Sequence, residues 1–229
     1  SDEFGTELVF RPNKFVWLGA SKKFDTFTFY FNENEHGLWR AHCYQYMPGY
    51  STFIVECTGE TFSKTGLENA TEEDTIAYLG QVFNEELGDD HLITNNSLWR
   101  NFPRVKNKKY YYDNIVLMGD ALHTAHFSIG SGTKLAMEDA VALIDSINDF
   151  NGDLSKALPD FQTKREPEVD ALQRAAQVSM EWFEEVERYH DVMEPLEFSY
   201  SLLTRSLRIN HENLRIRDSK LVSNVDDLV

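Results

Sequence analysis

Residues 10–63 alternate between apolar and polar positions with the period of two that is typical of β-strands. The alternation is clear in residues 24–31 and again in residues 38–47. A Pro48-Gly49 pair separates the second run from a third apolar run at residues 52–58. Because Pro-Gly favours a tight turn, we predict that the second and third runs form an antiparallel hairpin.

The predicted hairpin has an unusually aromatic face, on which Arg40, His42, Tyr44 and Tyr46 alternate along one strand. Two interpretations of this face remain open. In one, the aromatic side chains pack against a layer of helices; in the other, part of the face forms the wall of a pocket for a flat ligand. The second interpretation makes Arg40, His42 and Tyr44 candidate substrate-binding residues.

Helical periodicity replaces the alternation after residue 70. Thr71 followed by three acidic residues predicts a helix start, because a threonine side chain can cap a helix and acids suit its first turn. Pro167 is expected to kink or divide the longest helix. The predicted helices cover about residues 71–87, 133–150, 159–193 and 194–211, and we expect the tail from Ser219 to be irregular.

Composition narrows the class of protein. The 229 residues carry a net charge of −16, which argues against nucleic acid as a general partner. No apolar run approaches the roughly 18 residues that a membrane-spanning helix needs. Cys43 and Cys57 are too few for a disulfide framework and lie in strand-like segments, so we expect free thiols in a cytoplasmic enzyme.

The stretch Asn114–Ala142 holds the clearest candidate chemistry. A predicted strand over residues 110–118 leads into Gly119-Asp120, a loop with two glycines and a helix that opens near Thr133. A carboxylate at a strand end accepts hydrogen bonds from ligand hydroxyls, and glycines let backbone amides approach a ligand closely. The positive end of the following helix stabilises negative charge, so the arrangement suits a flavin.

These residues resemble a known fingerprint. Gly119-Asp120-Ala121-x-His123, followed by Gly130-x-Gly132 and Glu138-Asp139-Ala140, is similar to the second FAD fingerprint of single-component flavoprotein monooxygenases with the para-hydroxybenzoate hydroxylase fold. The sequence of residues 123–134 resembles that of the family branch that hydroxylates aromatic CoA thioesters such as salicyloyl-CoA and 2-aminobenzoyl-CoA. Further segments that resemble this branch are residues 11–19, 24–29, 204–209 and 211–215.

The resemblance implies an FAD-dependent aromatic hydroxylase that uses NADH and inserts one oxygen atom of O2 through a flavin C4a-hydroperoxide. It implies that Gly119 and Asp120 bind the ribityl or ribose hydroxyls of FAD, while loop amides lie beside the isoalloxazine. His126 is a candidate for orienting the substrate or moving a proton, and His123 is expected to be structural. No metal site is expected, because no third ligand lies at a suitable spacing. The amides belong to Ile129, Gly130, Ser131, Gly132 and Thr133.

Departures from the family pattern are informative. Phe127 and Lys134 stand where many members have Pro and Asn, but the acyl-CoA branch shares them. The Gly-x-Gly-x-x-Gly turn that holds the pyrophosphate is absent, as is the Asp-Gly motif expected before the first β segment. We therefore expect the carboxy-terminal part of a hydroxylase, whose partner is a missing amino-terminal FAD-binding half, and we expect Asp120 alone to bind FAD weakly.

Two basic stretches interrupt this acidic chain, at residues 100–109 and 204–220. Two interpretations stay open for each of them. The stretch is either a solvated or salt-bridged helix end, or a surface that meets the phosphates of a CoA substrate or a partner domain. In the second interpretation, Arg205 and Arg208 bind substrate.

The sequence predicts an α+β fold with an antiparallel substrate-domain sheet, the carboxy-terminal part of an FAD-binding domain and a helical C-terminal layer. Predicted boundaries are residues 1–105 for the sheet with one helix, 106–155 for the FAD-domain strand, Gly-Asp loop and helix, and 156–229 for the helical layer and tail. The function hypothesis is a monooxygenase of an aromatic acyl-CoA. The alternatives are a hydroxylase of a free aromatic acid or of tryptophan or indole, and a non-catalytic fragment that requires a separate dinucleotide-binding half.

Overall fold

The computed structural model describes residues 2–228, which form two compact units. Residues 10–102 make up one unit, here called the sheet unit; residues 2–9 and 103–228 make up the other, here called the helical unit. The predicted α+β class is confirmed, because the first unit is built on an antiparallel sheet and the second on helices. Within residues 2–228, no helix is long and apolar enough to cross a membrane.

An antiparallel sheet organises the sheet unit. The strands of this sheet are Glu7–Ala20 (β1), Thr28–Asn34 (β2), Gly37–Met47 (β3), Tyr50–Cys57 (β4), Leu92–Ile93 (β5) and Arg100–Lys106 (β6). Residues 7–9 of β1 and 103–106 of β6 belong to the helical unit. Their order is β2-β3-β4-β1-β5, and β6 also pairs with β1. The predicted hairpin is confirmed, since β3 pairs with β4 and Gly49 in the turn has a φ of +79°, which glycine adopts without steric cost.

Short helices complete the core of the sheet unit. They are Gly59–Thr65 (α1), Glu72–Val82 (α2) and Asn84–Leu87 (α3). Leu18, Ala41 and Phe53 project from one face of the sheet and form a single buried cluster with Phe62 of α1 and Leu79 of α2. Because alternate strand residues point to opposite faces, this cluster accounts for the apolar half of the period-two pattern.

The prediction of one helix over residues 71–87 is wrong, because the structure has two helices there, α2 and α3. Thr71 caps α2 in a capping box with Asp74, as its sequence indicates. Phe83 then leaves the helical conformation, with a φ of −109°, and α3 starts afresh after it. The β interpretation of residues 10–63 also missed α1, which Thr58 caps by accepting the backbone N–H of Thr61.

The helical unit contains one short hairpin and a series of helices. Its strands are Tyr111–Tyr112 (β7) and Ile115–Val116 (β8), and its helices are Gly132–Asp149 (α4), Leu154–Glu184 (α5), Glu187–His190 (α6), Pro195–Thr204 (α7), His211–Arg217 (α8) and Ser219–Asp226 (α9). Helices α4 and α5 pack together, and Ser146 on α4 donates to Asp160 Oδ2 on α5 at 2.7 Å. The predicted helical C-terminal layer is therefore confirmed.

The strand predicted over residues 110–118 is wrong. The chain forms the two-residue strands β7 and β8 instead, and it turns between them at Asp113, whose φ is +52°. The apolar residues 115–118 suggested a longer strand, but within residues 2–228 β8 pairs with β7 alone.

The C-terminal helices also differ from the prediction. Helix α5 starts earlier than predicted, after Asp153 accepts the N–H of Ser155, and it continues through Pro167 without dividing. The helix predicted to reach residue 211 ends at Thr204, and Leu207 has a φ of +57° in the break that follows. The tail is helical rather than irregular, because Asp218 caps α9 by accepting the N–H of Leu221.

Replacing Leu18 by Ala should lower the free energy of unfolding by about 2–5 kcal/mol, because the side chain is 1% exposed and its removal leaves a cavity. Leu98 is a matched control, since it is 69% exposed and Leu98→Ala should change stability by at most about 0.5 kcal/mol. Urea unfolding followed by circular dichroism measures both. Equal effects at the two positions would contradict the placement of the core.

Candidate functional site

The Gly119–Asp120 loop is a single tight turn that presents a carboxylate to solvent. Gly119 has a φ of +54°, and a Cβ on it would lie 3.1 Å from the Cβ of Ala136 on α4, so the position favours glycine. The carbonyl oxygen of Gly119 accepts the backbone N–H groups of Leu122 and His123, both at 2.9 Å. Asp120 is exposed at the top of this turn.

A buried carboxylate anchors the turn from below. Asp139 Oδ2 accepts the N–H of Gly119 at 3.0 Å and lies 2.9 Å from His123 Nε2. Asp139 Oδ1 accepts from Arg165 Nε on α5, also at 2.9 Å. Asp139, His123 and Arg165 are all at most 3% exposed. His123 therefore has the structural role that the sequence predicted.

The environment of Asp139 keeps its carboxyl ionised. Burial alone would raise the pKa, but the His123 contact, the Gly119 N–H and the Arg165 guanidinium together outweigh burial and hold the pKa of Asp139 below its ordinary value. The charge of Asp139 is thus matched by donors, as a buried charge must be.

Asn107 holds the same loop from the other side. Its Nδ2 group donates to the carbonyl oxygens of Ala121 at 3.0 Å and Leu122 at 2.6 Å, and its Oδ1 accepts from Thr6 Oγ1 at 2.6 Å. Asn107 is buried, so these bonds lie away from water. The loop is therefore fixed through both its N–H and its C=O groups.

The glycine loop leaves space at the start of α4. Ideal Cβ atoms on Gly130 and Gly132 would meet no heavy atom within 4 Å, and Gly130 has a φ of +60°. Ser131 precedes α4 but its side chain makes no capping hydrogen bond to the first turn. The N–H groups of that turn are the usual binding partners of an acceptor or anion at a helix start.

His126 takes part in the structure of this loop. Its Nδ1 accepts the backbone N–H of Ser128 at 3.3 Å and lies 2.9 Å from Ser128 Oγ. Ser128 Oγ in turn lies 2.8 Å from Ser179 Oγ on α5. His126 is buried. The catalytic role assigned to it from the sequence stays a prediction.

Arg205 and Arg208 have different environments. Arg205 donates from its NH2 group to the carbonyl oxygen of Ser128 at 2.7 Å and from Nε to Ser179 Oγ at 3.0 Å. Its guanidinium lies 5.1 Å from the ring centroid of Phe183, and burial lowers the pKa of Arg205 to about 10. Arg208 is exposed. Binding of CoA phosphates by the two arginines stays a prediction. Arg205 in addition holds the glycine loop through its bond to Ser128.

Comparison with known proteins assigns the family. A family model described as an FAD binding domain matches residues 15–176, which is well over half of the chain and includes the Gly119–Asp120 loop, the glycine loop and α4. The chain belongs to the FAD-binding monooxygenase family. The flavoprotein resemblance predicted from the sequence is therefore confirmed.

Individual relatives agree with that assignment. Salicyloyl-CoA 5-hydroxylase of Streptomyces sp is 36% identical over 235 residues, an alignment that covers 99% of this chain and 45% of the relative. Protodeoxyviolaceinate monooxygenase of Chromobacterium violaceum is 37% identical, with 79% of this chain and 48% of the relative covered. The chain thus spans about half the length of the curated relatives it matches.

Solved structures support the fold of this family member. PqsL of Pseudomonas aeruginosa, described as a probable FAD-dependent monooxygenase, aligns with a TM-score of 0.57 at 20% identity and covers 81% of this chain and 52% of its own. 2-Methyl-3-hydroxypyridine-5-carboxylic acid oxygenase aligns with a TM-score of 0.60 at 12% identity, covering 89% and 54%. At these identities the likeness concerns the fold alone.

In the sheet unit, the predicted substrate-binding residues fall into two environments. Arg40 and His42 are buried, and His42 Nε2 lies 3.2 Å from Glu56 Oε2. Tyr44 is partly exposed and stacks on Phe27, with ring centroids 5.2 Å apart. Because Phe27 is 48% exposed, no helix of the sheet unit covers this end of the aromatic face. The substrate role of these residues stays a prediction.

Asp139 and Arg165 are site residues for which no role was predicted from the sequence. A signal was present in both helices. Asp139 lies one helical turn after buried Leu135 on α4, and Arg165 lies between buried Phe161 and Val169 at the same spacing on α5. Opposite charges at buried positions of two consecutive helices indicate a buried ion pair, since an isolated buried charge is costly.

Asp139→Asn should lower the free energy of unfolding by about 3 kcal/mol at neutral pH, because it leaves buried donors without their charged acceptor. The pKa of Asp139 is lowered by folding, so its ionised form stabilises the fold. This contribution is fully present above the ordinary carboxyl pKa of about 4 and is lost as the pH falls through the lower folded-state value. The difference from the wild type should therefore shrink in acid.

Urea unfolding between neutral and acid pH measures that difference. Asp120→Asn is the matched control, since it removes an exposed carboxylate from the same turn and should cost at most about 0.5 kcal/mol at every pH. A cost at Asp139 that stays constant down to about pH 3 would contradict the charge assignment.

Arg205→Ala should lower the free energy of unfolding by about 2–3 kcal/mol, because it removes charge-assisted hydrogen bonds to Ser128 and Ser179. Arg208→Ala should stay within about 0.5 kcal/mol, since Arg208 is exposed. The same unfolding measurement separates the two arginines. Two equally mild substitutions would show that Arg205 does not hold the glycine loop.

Proposed function

We propose that this chain is the carboxy-terminal part of an FAD-dependent aromatic hydroxylase, and that its Gly119–Asp120 loop binds the ribityl or ribose hydroxyls of FAD. The observation that carries the proposal is an exposed carboxylate, Asp120, on a turn anchored to the same helix whose first turn has no side-chain cap. Membership of the FAD-binding monooxygenase family supports it.

The acceptor Asp120 and the amide donors of residues 129–133 are suited to bind one part of a flavin cofactor. Asp120 accepts hydrogen bonds from vicinal hydroxyls, as a carboxylate at a strand end does in dinucleotide sites. The amides of residues 129–133 lie in the open loop where a Cβ would meet nothing at Gly130 or Gly132, and they are proposed to lie beside the isoalloxazine. The start of α4 stabilises negative charge there.

The chemistry follows from these positions. FAD, when bound, supplies the oxygen-activating chemistry, with NADH as the proposed reductant. The chain is proposed to orient the cofactor through Asp120 and the loop amides. His126 is the proposed residue for orienting the substrate or moving a proton, because it is buried within the glycine loop.

An aromatic acyl-CoA is the proposed substrate. The name of the Streptomyces relative, which matches 99% of this chain, supports this class. The stack of Tyr44 on half-exposed Phe27 offers a flat aromatic surface, and exposed Arg208 offers a cation for a CoA phosphate. Arg40 and His42 are buried in the sheet unit and Arg205 holds the glycine loop, so their predicted roles in substrate binding stay predictions.

We also propose that an amino-terminal dinucleotide-binding half covers part of the helical unit. Met137, Val141 and Ile144 form an apolar stripe along α4, and each is more than half exposed. Ile115 of β8 is 53% exposed, and a two-stranded hairpin has little stability of its own. A parallel sheet that extended β8 and packed on the stripe would bury both. Relatives about twice as long as this chain support such a partner.

Titration of the purified chain with FAD tests the cofactor proposal. We expect weak binding, seen as flavin fluorescence quenching and as protein-bound absorbance at about 450 nm, because half of the site is lacking. Asp120→Ala should weaken this binding by roughly tenfold or more, the loss expected when hydrogen bonds to a charged acceptor are removed. The same measurement applies to the chain joined to its amino-terminal half.

Asp145→Ala is the matched control, because Asp145 is an exposed carboxylate farther along α4. It should leave FAD binding unchanged. An equal loss of FAD affinity in Asp120→Ala and Asp145→Ala would show that the effect comes from the change in net charge alone. Complete indifference of FAD binding to Asp120→Ala would overturn the proposed role of the loop.

A further inference from the structure

We infer that Asp139 is the positioning residue of the proposed FAD site, and that it sets where Asp120 stands relative to the start of α4. The inference rests on the proposed function for the role of Asp120, while the geometry behind it belongs to the chain itself. Asp139 would not touch the cofactor. It acts through the turn that it anchors.

Two N–H donors and one imidazole nitrogen, from three parts of the helical unit, converge on this one side chain. The N–H of Gly119 comes from the turn, His123 Nε2 from the end of the same loop and Arg165 Nε from α5, all within 3.0 Å of a carboxylate oxygen. Asp139 itself is 0% exposed. Because the side chain is shielded from bulk solvent, the geometry of its hydrogen-bonding partners fixes the geometry of the loop.

The bond from Gly119 controls Asp120 because the two residues are adjacent. Gly119 packs so closely on α4 that a Cβ on it would lie 3.1 Å from the Cβ of Ala136. With its N–H on Asp139 and its carbonyl oxygen holding Leu122 and His123, Gly119 has little freedom to rotate. The direction in which the chain presents Asp120 is set accordingly.

Asp139 also belongs to the helix that forms the other part of the proposed site. It lies on α4 about two turns after Gly132, where the helix begins. The turn that carries Asp120 and the uncapped start of α4 are therefore joined through one side chain. Asp120 and the loop amides keep a fixed separation only while this link holds.

A carboxylate is required at this position. An ionised carboxylate accepts on both oxygens, whereas an asparagine side chain has one oxygen and a second group that only donates. In Asp139→Asn, the one remaining oxygen is expected to face the Arg165 guanidinium, because a charged donor holds an acceptor more strongly than a backbone N–H does, so the amide group faces Gly119. The substitution keeps the size of the side chain and removes one side of the link.

Hydrogen exchange of individual backbone amides tests the inference without any cofactor. In Asp139→Asn, the Gly119 amide should exchange roughly tenfold faster or more than in the wild type, after correction for global stability. Ser146→Ala is the matched control, because Ser146 is also buried on α4 and donates to Asp160 on α5, but does not touch the turn. It should leave Gly119 exchange unchanged.

Unchanged exchange at Gly119 in Asp139→Asn, or an equal rise in Ser146→Ala, would overturn the inference. Should Asp139→Asn not fold, Arg165→Gln serves instead, since it removes the guanidinium that fixes Oδ1 and so lets the Asp139 side chain rotate away from the turn. It should accelerate Gly119 exchange in the same direction. The absence of any acceleration there would overturn the inference equally.

A double-substitution cycle on FAD affinity separates positioning from general loss of structure. If Asp139 acts through Asp120, Asp139→Asn weakens FAD binding in the wild type but adds nothing in the Asp120→Ala background. Additive losses would overturn the inference. A wild-type chain that binds no FAD would count against the proposed function alone, and the exchange measurement would still decide the role of Asp139.

Discussion

A buried carboxylate must be surrounded by donors, and in this chain that requirement shapes the candidate site. Asp139 is fully buried on α4, and its two oxygens are matched by Gly119, His123 and Arg165. Loss of any one donor would leave a charge partly unmatched in a place that water does not reach. The tight turn at Gly119, the contact of α4 with α5 and the placement of Asp120 follow from this one arrangement.

The same arrangement separates the residues that hold the loops of the helical unit from those proposed to bind ligand. Buried groups hold the loops: Asp139 and Asn107 fix the Gly119–Asp120 turn, and Arg205 fixes the glycine loop at Ser128. The groups proposed to bind ligand are exposed Asp120 and the first turn of α4, which has no side-chain cap. A flavin hydroxylase needs such rigidity, because the protein supplies position and electrostatics while the cofactor supplies the chemistry.

Much of this could be predicted where local rules decide the outcome. The period-two pattern and Pro48-Gly49 predicted the hairpin, and Thr71 predicted the start of α2. The family fingerprint pointed to the FAD-binding monooxygenases. Helices as short as α1 and α9 show too little periodicity to be recognised, and the apolar run after residue 114 forms a strand only as far as a partner pairs with it. Asp139 and Arg165 lie 26 residues apart, so their pairing depends on how α4 packs on α5.

A crystal structure of the Asp139→Asn chain would show directly whether Asp139 sets the position of Asp120. We expect the N–H of Gly119 to lie out of hydrogen-bonding distance of residue 139 and Asp120 to be displaced relative to the start of α4, while the sheet unit is unchanged. A structure in which the Gly119 N–H still bonds to residue 139 near the wild-type 3.0 Å, with Asp120 in its original place, would contradict this expectation.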